Sequence, residues 1–432
     1  MKGARDGRQA ALFEDAGLSR DETGSLLLEG VSLGEIASRV GTPAYVYSAE
    51  AIRRRFAELA EAFAALPHRI DYAVKANSCP AVLAILRELG AGCDIVSVGE
   101  LRRVLAAGFP PARIVFSGVG KRPDELAAAI EAGIGQINLE SLEELEAVAA
   151  AAQATGGGGG RGAPVRVGIR VNPDVTVDTH PYTQTAMAAA KFGVPADQVL
   201  EAARRVRAHP ALRLVGLAMH VGSQVLDPAP FEQGAARLAE LLGAIRAEGF
   251  ASVDSLDLGG GLGIRYQSEV PLVPGRLAER LRPVLGGLGA TIRIEPGRYL
   301  VGSAGILLAR VLYRKHAGGK DFVILDTGMN DLERPSRYQA YHEIAVVKES
   351  GRSERIVDVV GPICESGDFL ALGRNLPAVE PGEVLAILGA GAYGFVMSSN
   401  YNDRPRPPEV MVDGGGWLEA RRRETVEDLL SW

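Results

Sequence analysis

Between Ile70 and Glu295 the chain repeats one pattern of apolar and polar positions. A short β-branched run ends in polar residues or glycine, and a stretch rich in Ala, Leu, Glu and Arg with helical spacing follows. Eight such runs occur: Ile70–Lys75, Cys93–Ser97, Arg113–Ser117, Gln136–Leu139, Val165–Val171, Leu214–His220, Ser255–Leu258 and Thr291–Glu295. Ala81–Leu89, Pro123–Ala132, Leu142–Ala152 and Phe231–Glu248 are among the helical stretches between them. Eightfold alternation of strand and helix predicts a (β/α)8 barrel, and a span somewhat over about two hundred residues suits that fold. An open doubly wound sheet alternates in the same way, but the count of eight favours closure.

The pattern changes after Gly305. Phe322–Leu325, Ile344–Val347, Ile356–Val360, Val384–Leu388 and Val410–Val412 are strand-like and separated by Gly/Pro turns, with no long helical stretch before Thr425–Leu430. This predicts an all-β domain. Leu26–Val31 is strand-like too and is expected to join it. The expected fold is therefore α/β plus all-β. A barrel spans 45–305, and a β-sandwich or β-barrel domain spans 306–432 with a contribution from 1–44. Residues 1 to 20 are expected to be poorly ordered, and the glycine run Gly156–Gly160 reads as a flexible surface insertion.

Composition narrows the function classes. Apolar residues are 47% and charged residues 23% of the 432, which argues against disorder for the bulk of the chain. Basic side chains number 47 and acidic ones 53, a net charge of −6, so no basic surplus suggests nucleic acid. No apolar run reaches the ~18 residues of a membrane span, and the first twenty residues lack the apolar core of a signal peptide. The three cysteines, Cys79, Cys93 and Cys364, are too few and scattered for a disulfide framework or a zinc site. A cytoplasmic protein without metal or membrane partner is expected.

In a barrel, catalytic groups sit at the C-terminal ends of strands. Strand one ends in Lys75, within Tyr72-Ala73-Val74-Lys75-Ala76-Asn77, and strand six in His220, followed by Val221-Gly222-Ser223-Gln224. Strand seven runs into Gly259-Gly260-Gly261-Leu262-Gly263, and strand eight ends in Glu295-Pro296-Gly297-Arg298. Each has a plain reading alone. A strand-end lysine is usually solvated, a lone histidine is usually a satisfied core residue, Glu295 could pair with Arg298, and glycine turns mostly serve backbone geometry. Together they read differently. A glycine turn after strand seven lies where barrels bind phosphate. A lysine whose pKa is lowered by desolvation, facing a phosphate site, suits covalent attachment of pyridoxal phosphate. His220 could stack on a flat ring, and a carboxylate such as Glu295 could keep a pyridine nitrogen protonated.

These four motifs, in this order and on separate strand ends, resemble the fold-type-III pyridoxal phosphate (PLP)-dependent decarboxylases. The resemblance runs from about Gly30 to Val412. It implies that Lys75 joins the cofactor covalently and that His220 stacks on its ring. It further implies that Ser223, Gly259, Gly260 and Gly261 hold the phosphate, with Gly297 and Arg298 helping, and that Glu295 meets the ring nitrogen. Tyr393, in Gly389-Ala390-Gly391-Ala392-Tyr393-Gly394, would complete the cofactor site. An alanine racemase would place an arginine where Glu295 stands, and a non-catalytic PLP carrier would have no use for the β domain's motifs.

Those motifs bear on the substrate. Arg334 and Tyr338 follow Asp326-Thr327-Gly328-Met329-Asn330-Asp331-Leu332, and Cys364-Glu365-Ser366-Gly367-Asp368 comes later. Arginine grips a carboxylate with two parallel hydrogen bonds, so Arg298 and Arg334 suit a distal carboxylate and Glu365 a distal ammonium. A molecule that is an amino acid at each end, such as meso-diaminopimelate, fits, with L-lysine and carbon dioxide as products. A related basic amino acid or carboxynorspermidine is the alternative substrate. Cys364 is the candidate proton donor. The resemblance also implies that the Cys364–Glu365 segment reaches the partner's active site, in a homodimer with two shared sites. In the loop after strand five, Thr179-His180-Pro181-Tyr182 and Lys191-Phe192-Gly193 match the family, whereas Ala186–Ala190 is unusually apolar.

Overall fold

The computed structural model describes residues 2–157, 162–175 and 190–431. Eight parallel strands form a closed barrel in the order His68–Ala73, Gly92–Ile95, Ile114–Phe116, Gln136–Leu139, Val165–Asn172, Leu212–Ala218, Ser255–Asp257 and Thr291–Ile294. Closure is direct, because Ile292, Arg293 and Ile294 of the last strand lie in register with His68, Arg69 and Ile70 of the first. The strands read as apolar runs because helices cover the sheet from outside. Several of those helices start on a serine whose hydroxyl accepts an amide three residues on. Ser48 caps Ala51, Ser97 caps Glu100 and Ser141 caps Glu144, so chain direction reverses cleanly at the strand ends.

The barrel's interior is not purely apolar. Arg293, 4% exposed, donates to Asp71 at 2.8 and 2.6 Å and to Gln136 at 3.0 Å, and Gln136 donates to Asn138. Such a network is stable only because its members satisfy one another. It lies beneath the strand ends that carry the site.

The second unit is a mixed sheet in the order Phe369–Pro377, Glu354–Val360, Lys320–Leu325, Gly305–Ala317, Ala44–Ser48, Glu409–Asp413 and Gly416–Arg421; Val384–Leu388 also pairs with Gly305–Ala317. The N-terminal strand that enters it is Ala44–Ser48, antiparallel to Gly305–Leu308 and parallel to Glu409–Val412. Leu26–Val31 behaves differently from the expectation. Glu29 and Gly30, both at positive φ, turn the chain, so Leu26–Leu28 and Val31–Ser32 are two strands of a small sheet with Leu18–Arg20. That sheet docks on the large one, with Leu26 and Leu28 packing among Ile306, Leu308 and Val347. The first twenty residues are not structureless. Lys2–Ala16 is a helix whose Leu12 and Ala16 are buried in the same cluster.

Of the glycine run, Gly156 and Gly157 are described and Gly158–Gly160 lie outside the described residues, as do Thr179–Tyr182 and Ala186–Ala189. Among the described residues no helix is long and apolar enough to cross a membrane.

Candidate active site

Lys75 lies in a single 3-10 turn, Val74–Ala76, that ends the first barrel strand. Its Nζ donates to Asp94 Oδ2 at 2.7 Å, and Asp94, fully buried, is the residue before the end of the neighbouring strand. Burial works against the charge on Lys75, but Asp94 first and Glu295 next prevail and hold the amine well above its usual range. The expected desolvated, neutral lysine is therefore corrected: in this pocket it is an ammonium. Glu295 shows the opposite tension. Burial, then Asp257 and Asp94, push its carboxyl well above the usual range, with Lys75 pulling back. Asp94 Oδ1 is buried with no hydrogen-bond partner, while Glu295 and Asp257 meet each other carboxyl to carboxyl and have only a proton shared between them on Oε1 and Oδ2. Unsatisfied buried acceptors are costly and call for an explanation.

His220 stands half-buried beside this floor. The Gly260 N–H donates to its Nδ1 at 3.2 Å, so the ring's own proton sits on Nε2. Burial, with Arg170 and Lys75 nearby, pushes its pKa well down, and the ring is neutral. In the turn after strand seven, Gly259 and Gly261 have φ of 70° and 110°. A Cβ on Gly260 would stand 2.1 Å from the Glu295 carbonyl oxygen, and one on Gly261 2.3 Å from that of Gly222. Only glycine allows this approach. The Gly259 amide is committed to Asp257 and that of Gly260 to His220. Gly261's amide, of the three, is left without an acceptor among the described residues. Ser223 Oγ accepts from Arg298 at 2.9 Å, which leaves its own proton to donate.

A cationic rim stands beside the floor. Arg298 and Arg334 are both buried. Arg298 Nη1 donates to the Tyr266 hydroxyl at 2.6 Å, and the Arg334 guanidinium lies 4.5 Å from the Tyr266 ring centre. Arg334 also donates to His342 Nε2 at 3.2 Å, and His342 Nδ1 donates to the Leu388 carbonyl. Burial, and then Arg334, push His342 down to about 3, so it accepts as a neutral ring. Among the described residues neither arginine forms an ion pair with a carboxylate. Tyr393 joins rim to floor. It adopts φ of 56°, unusual for a tyrosine, its amide donates to the Ala76 carbonyl at 2.8 Å, and its ring lies 4.9 Å from Arg298. Gly297 packs where a Cβ would meet Ala76 at 2.9 Å. Tyr338 closes the five-residue helix that Arg334 opens.

Cys364 and Glu365 stand apart from these groups. Both are exposed. Cys364 meets Asn402, and Glu365 accepts from the Tyr401 hydroxyl at 3.2 Å. Among the described residues of one chain, neither bonds to Lys75, Arg298 or Arg334.

Sequence reasoning missed Asp94, Asp257 and Tyr266. Asp94 and Asp257 lay inside two of the eight runs, one residue or so from the strand ends, where the same positional rule could have found them. Tyr266 follows the glycine turn and has no motif to mark it.

The floor has the elements that pyridoxal phosphate requires. It offers an amine, a buried carboxyl at Glu295 for the ring nitrogen, and a turn that a Cβ would fill, with an amide and a hydroxyl left to donate. A PLP-binding barrel enzyme is the class that fold and floor define together, and residues 49–302 match the model of the pyridoxal-dependent decarboxylases, pyridoxal binding domain. Full-length relatives resolve it further. A diaminopimelate decarboxylase of Pseudomonas aeruginosa is 47% identical over 404 residues, covering 94% of this chain and 95% of the relative. The crystal structure of the Helicobacter pylori diaminopimelate decarboxylase complexed with L-lysine is 39% identical, with a TM-score of 0.87 over 92% of this chain and 98% of that one. That of the enzyme from M. jannaschii is 33% identical, with a TM-score of 0.90 over 97% and 98%. The chain belongs to the diaminopimelate decarboxylase family.

Proposed function

We propose that this chain, loaded with PLP, converts meso-diaminopimelate to L-lysine and carbon dioxide. The observation that carries the substrate assignment is the rim. Two guanidiniums, buried around one tyrosine with no carboxylate partner among the described residues, form an arrangement that costs on the order of several kcal/mol unless an anion completes it. A distal carboxylate is that anion, and a bare terminal amine would worsen the charge.

Lys75 would hold the cofactor covalently, His220 would cover its ring face, and Glu295 would meet its ring nitrogen. Gly261 and Ser223 would donate to its phosphate, with Gly259, Gly260 and Gly297 allowing the approach and Tyr393 closing the site. When bound, the cofactor supplies the electron sink for the bond to the departing carboxylate. Arg298, Arg334 and Tyr338 then orient the substrate by its far end, so that the carboxylate to be lost stands over the floor. Cys364 delivers a proton to the carbon that lost it, and Glu365 receives the distal ammonium. Because both lie on an exposed loop away from this chain's own floor, they serve a second copy's site. The working form is a homodimer with two shared sites.

The barrel, 45–305, carries most of the cofactor site together with Arg298, and the β domain, 306–432 with 1–44, adds Arg334, Tyr338 and Tyr393; Ala44–Ser48 belongs with the second sheet. All three cysteines are free, in keeping with a cytoplasmic location.

The test is a substrate panel on the PLP-loaded protein, reading amine product and released carbon dioxide. L-lysine from meso-diaminopimelate is expected. Preferential turnover of ornithine, arginine or carboxynorspermidine would overturn the assignment.

A further inference from the structure

Asp368 is 4% exposed, and among the described residues its carboxylate makes hydrogen bonds only to main-chain amides. Oδ1 accepts from the Met329 N–H at 2.7 Å and Oδ2 from the Ile363 N–H at 2.7 Å. The two amides belong to different machinery. Gly328 and Met329 open the turn that leads to Arg334, since the Gly328 carbonyl accepts from Asp331 and Leu332. Ile363 immediately precedes Cys364 and Glu365, and Asp368's own amide donates back to the Glu365 carbonyl at 3.0 Å.

The surroundings are built for this joint. A Cβ on Gly328 would stand 2.5 Å from Oδ1, and one on Gly361 2.5 Å from Oδ2. A second tie runs parallel to it: Ser336 Oγ, on the helix of Arg334, donates to the Gly367 carbonyl at 2.6 Å. A carboxylate suits the task because it accepts on both oxygens, and an amide of the same shape cannot.

We propose that Asp368 is a positioning residue that fixes, through one side chain, both the helix bearing Arg334 and the loop bearing Cys364 and Glu365. This rests on the function proposed above, in which Arg334 serves its own chain's site and the loop serves the other. Asp368 then ties the substrate grip of one site to the proton delivery of its neighbour.

The test uses the PLP-loaded protein carrying Asp368→Asn, which keeps the shape and removes one acceptor, and Asp368→Ala. With meso-diaminopimelate, Asp368→Asn is expected to lower kcat about tenfold and raise KM about tenfold, with cofactor absorbance and dimer mass unchanged. Combined with Glu365→Gln, the losses should fall short of the product of the single losses, because the two residues act through one loop. Cys364 is the exposed one of the three cysteines, so its labelling by a thiol reagent reports the loop without any turnover. Asp368→Asn should quicken that labelling several-fold. Kinetic constants within twofold of wild type, losses that multiply, or unchanged labelling would each overturn the proposal. Should Asp368→Ala not fold, the isosteric variant carries the same measurements. Wild-type protein inactive on meso-diaminopimelate would strike the proposed function, while the labelling comparison would still decide whether Asp368 holds the loop.

Discussion

The floor of the site is lined with carboxyls and its rim with guanidiniums, and among the described residues no ion pair joins the two. On the floor, Asp257 and Glu295 face each other carboxyl to carboxyl, Asp94 keeps one buried oxygen without a partner, and the cations nearby are Lys75, bonded to Asp94, and Arg293 beneath. On the rim, Arg298 and Arg334 share Tyr266 and have no acidic partner among the described residues. Chain separation does not explain this, since Glu295 and Arg298 are three residues apart. Buried carboxyls that share a proton on one side and buried guanidiniums without a carboxylate on the other are both costly to keep from water. They are prearranged for ligands that bring a protonated nitrogen to one and a carboxylate to the other. Preorganised charge of this kind acts without reorganisation during the reaction.

The severest way to break the contrast is to remove its only amine. Lys75→Ala should abolish the visible absorbance of the protein-bound cofactor and lower turnover about a thousandfold or more. Normal absorbance and carbon dioxide release in that variant would refute the floor assignment. The same variant tests where Cys364 works. Mixed in equal amounts with Cys364→Ala and allowed to exchange subunits, it should regain about a quarter of wild-type activity, because half of the dimers then carry one intact site. No regain would return Cys364 to its own chain's site or remove it from the reaction.

A smaller effect sharpens the contrast by separating kcat from KM. Glu295→Gln should lower kcat about a hundredfold with KM little changed, since it alters the floor where charge develops. Arg334→Ala should instead raise KM for meso-diaminopimelate about a hundredfold and leave cofactor absorbance as it was. Steady-state kinetics on both variants decides the matter. If both moved the same constant, floor and rim would not be functionally distinct.

What was legible beforehand divides along a related line. Each barrel strand announced itself, because a strand buried on both faces must be apolar and must end in turn chemistry; Ile70–Lys75 was read where His68–Ala73 stands. The strand ends then named Lys75, His220 and Glu295. The interior polar network was hidden because Asp71, Gln136 and Arg293 look like interruptions of apolar runs until closure brings them together. Ala44–Ser48 was assigned to the barrel entrance because its partners, Gly305–Leu308 and Glu409–Val412, are far away in sequence. Leu26–Val31 reads as one strand in the sequence because positive φ at Glu29, unlike at Gly30, leaves no mark on residue type. The lysine's protonation could not be read at all, since burial and its neighbours pull in opposite directions and only distance decides between them.

The smallest effect asks whether a raised carboxyl belongs to the floor or accompanies any deep burial. Asp331 is the control. It is 2% exposed, yet both its oxygens are partnered, Oδ2 by Thr327 at 2.9 Å and Oδ1 by Asn330 at 3.0 Å. Burial pushes it up to about 7, against those hydrogen bonds. The unfolded chain would titrate it near ~3.9, so the folded state binds the proton more tightly. Its contribution to stability is therefore fully present below about pH 4 and is lost as pH rises through about 7. Asp331→Asn has no such proton to lose. Urea unfolding of both proteins at pH 5 and pH 8 should show the variant gaining on wild type by about 1–3 kcal/mol over that interval. Adding PLP should leave this difference unchanged, because Asp331 has no orphaned oxygen for a ligand to satisfy. A cofactor-dependent shift at Asp331 would show that rim support and floor titrate as one unit.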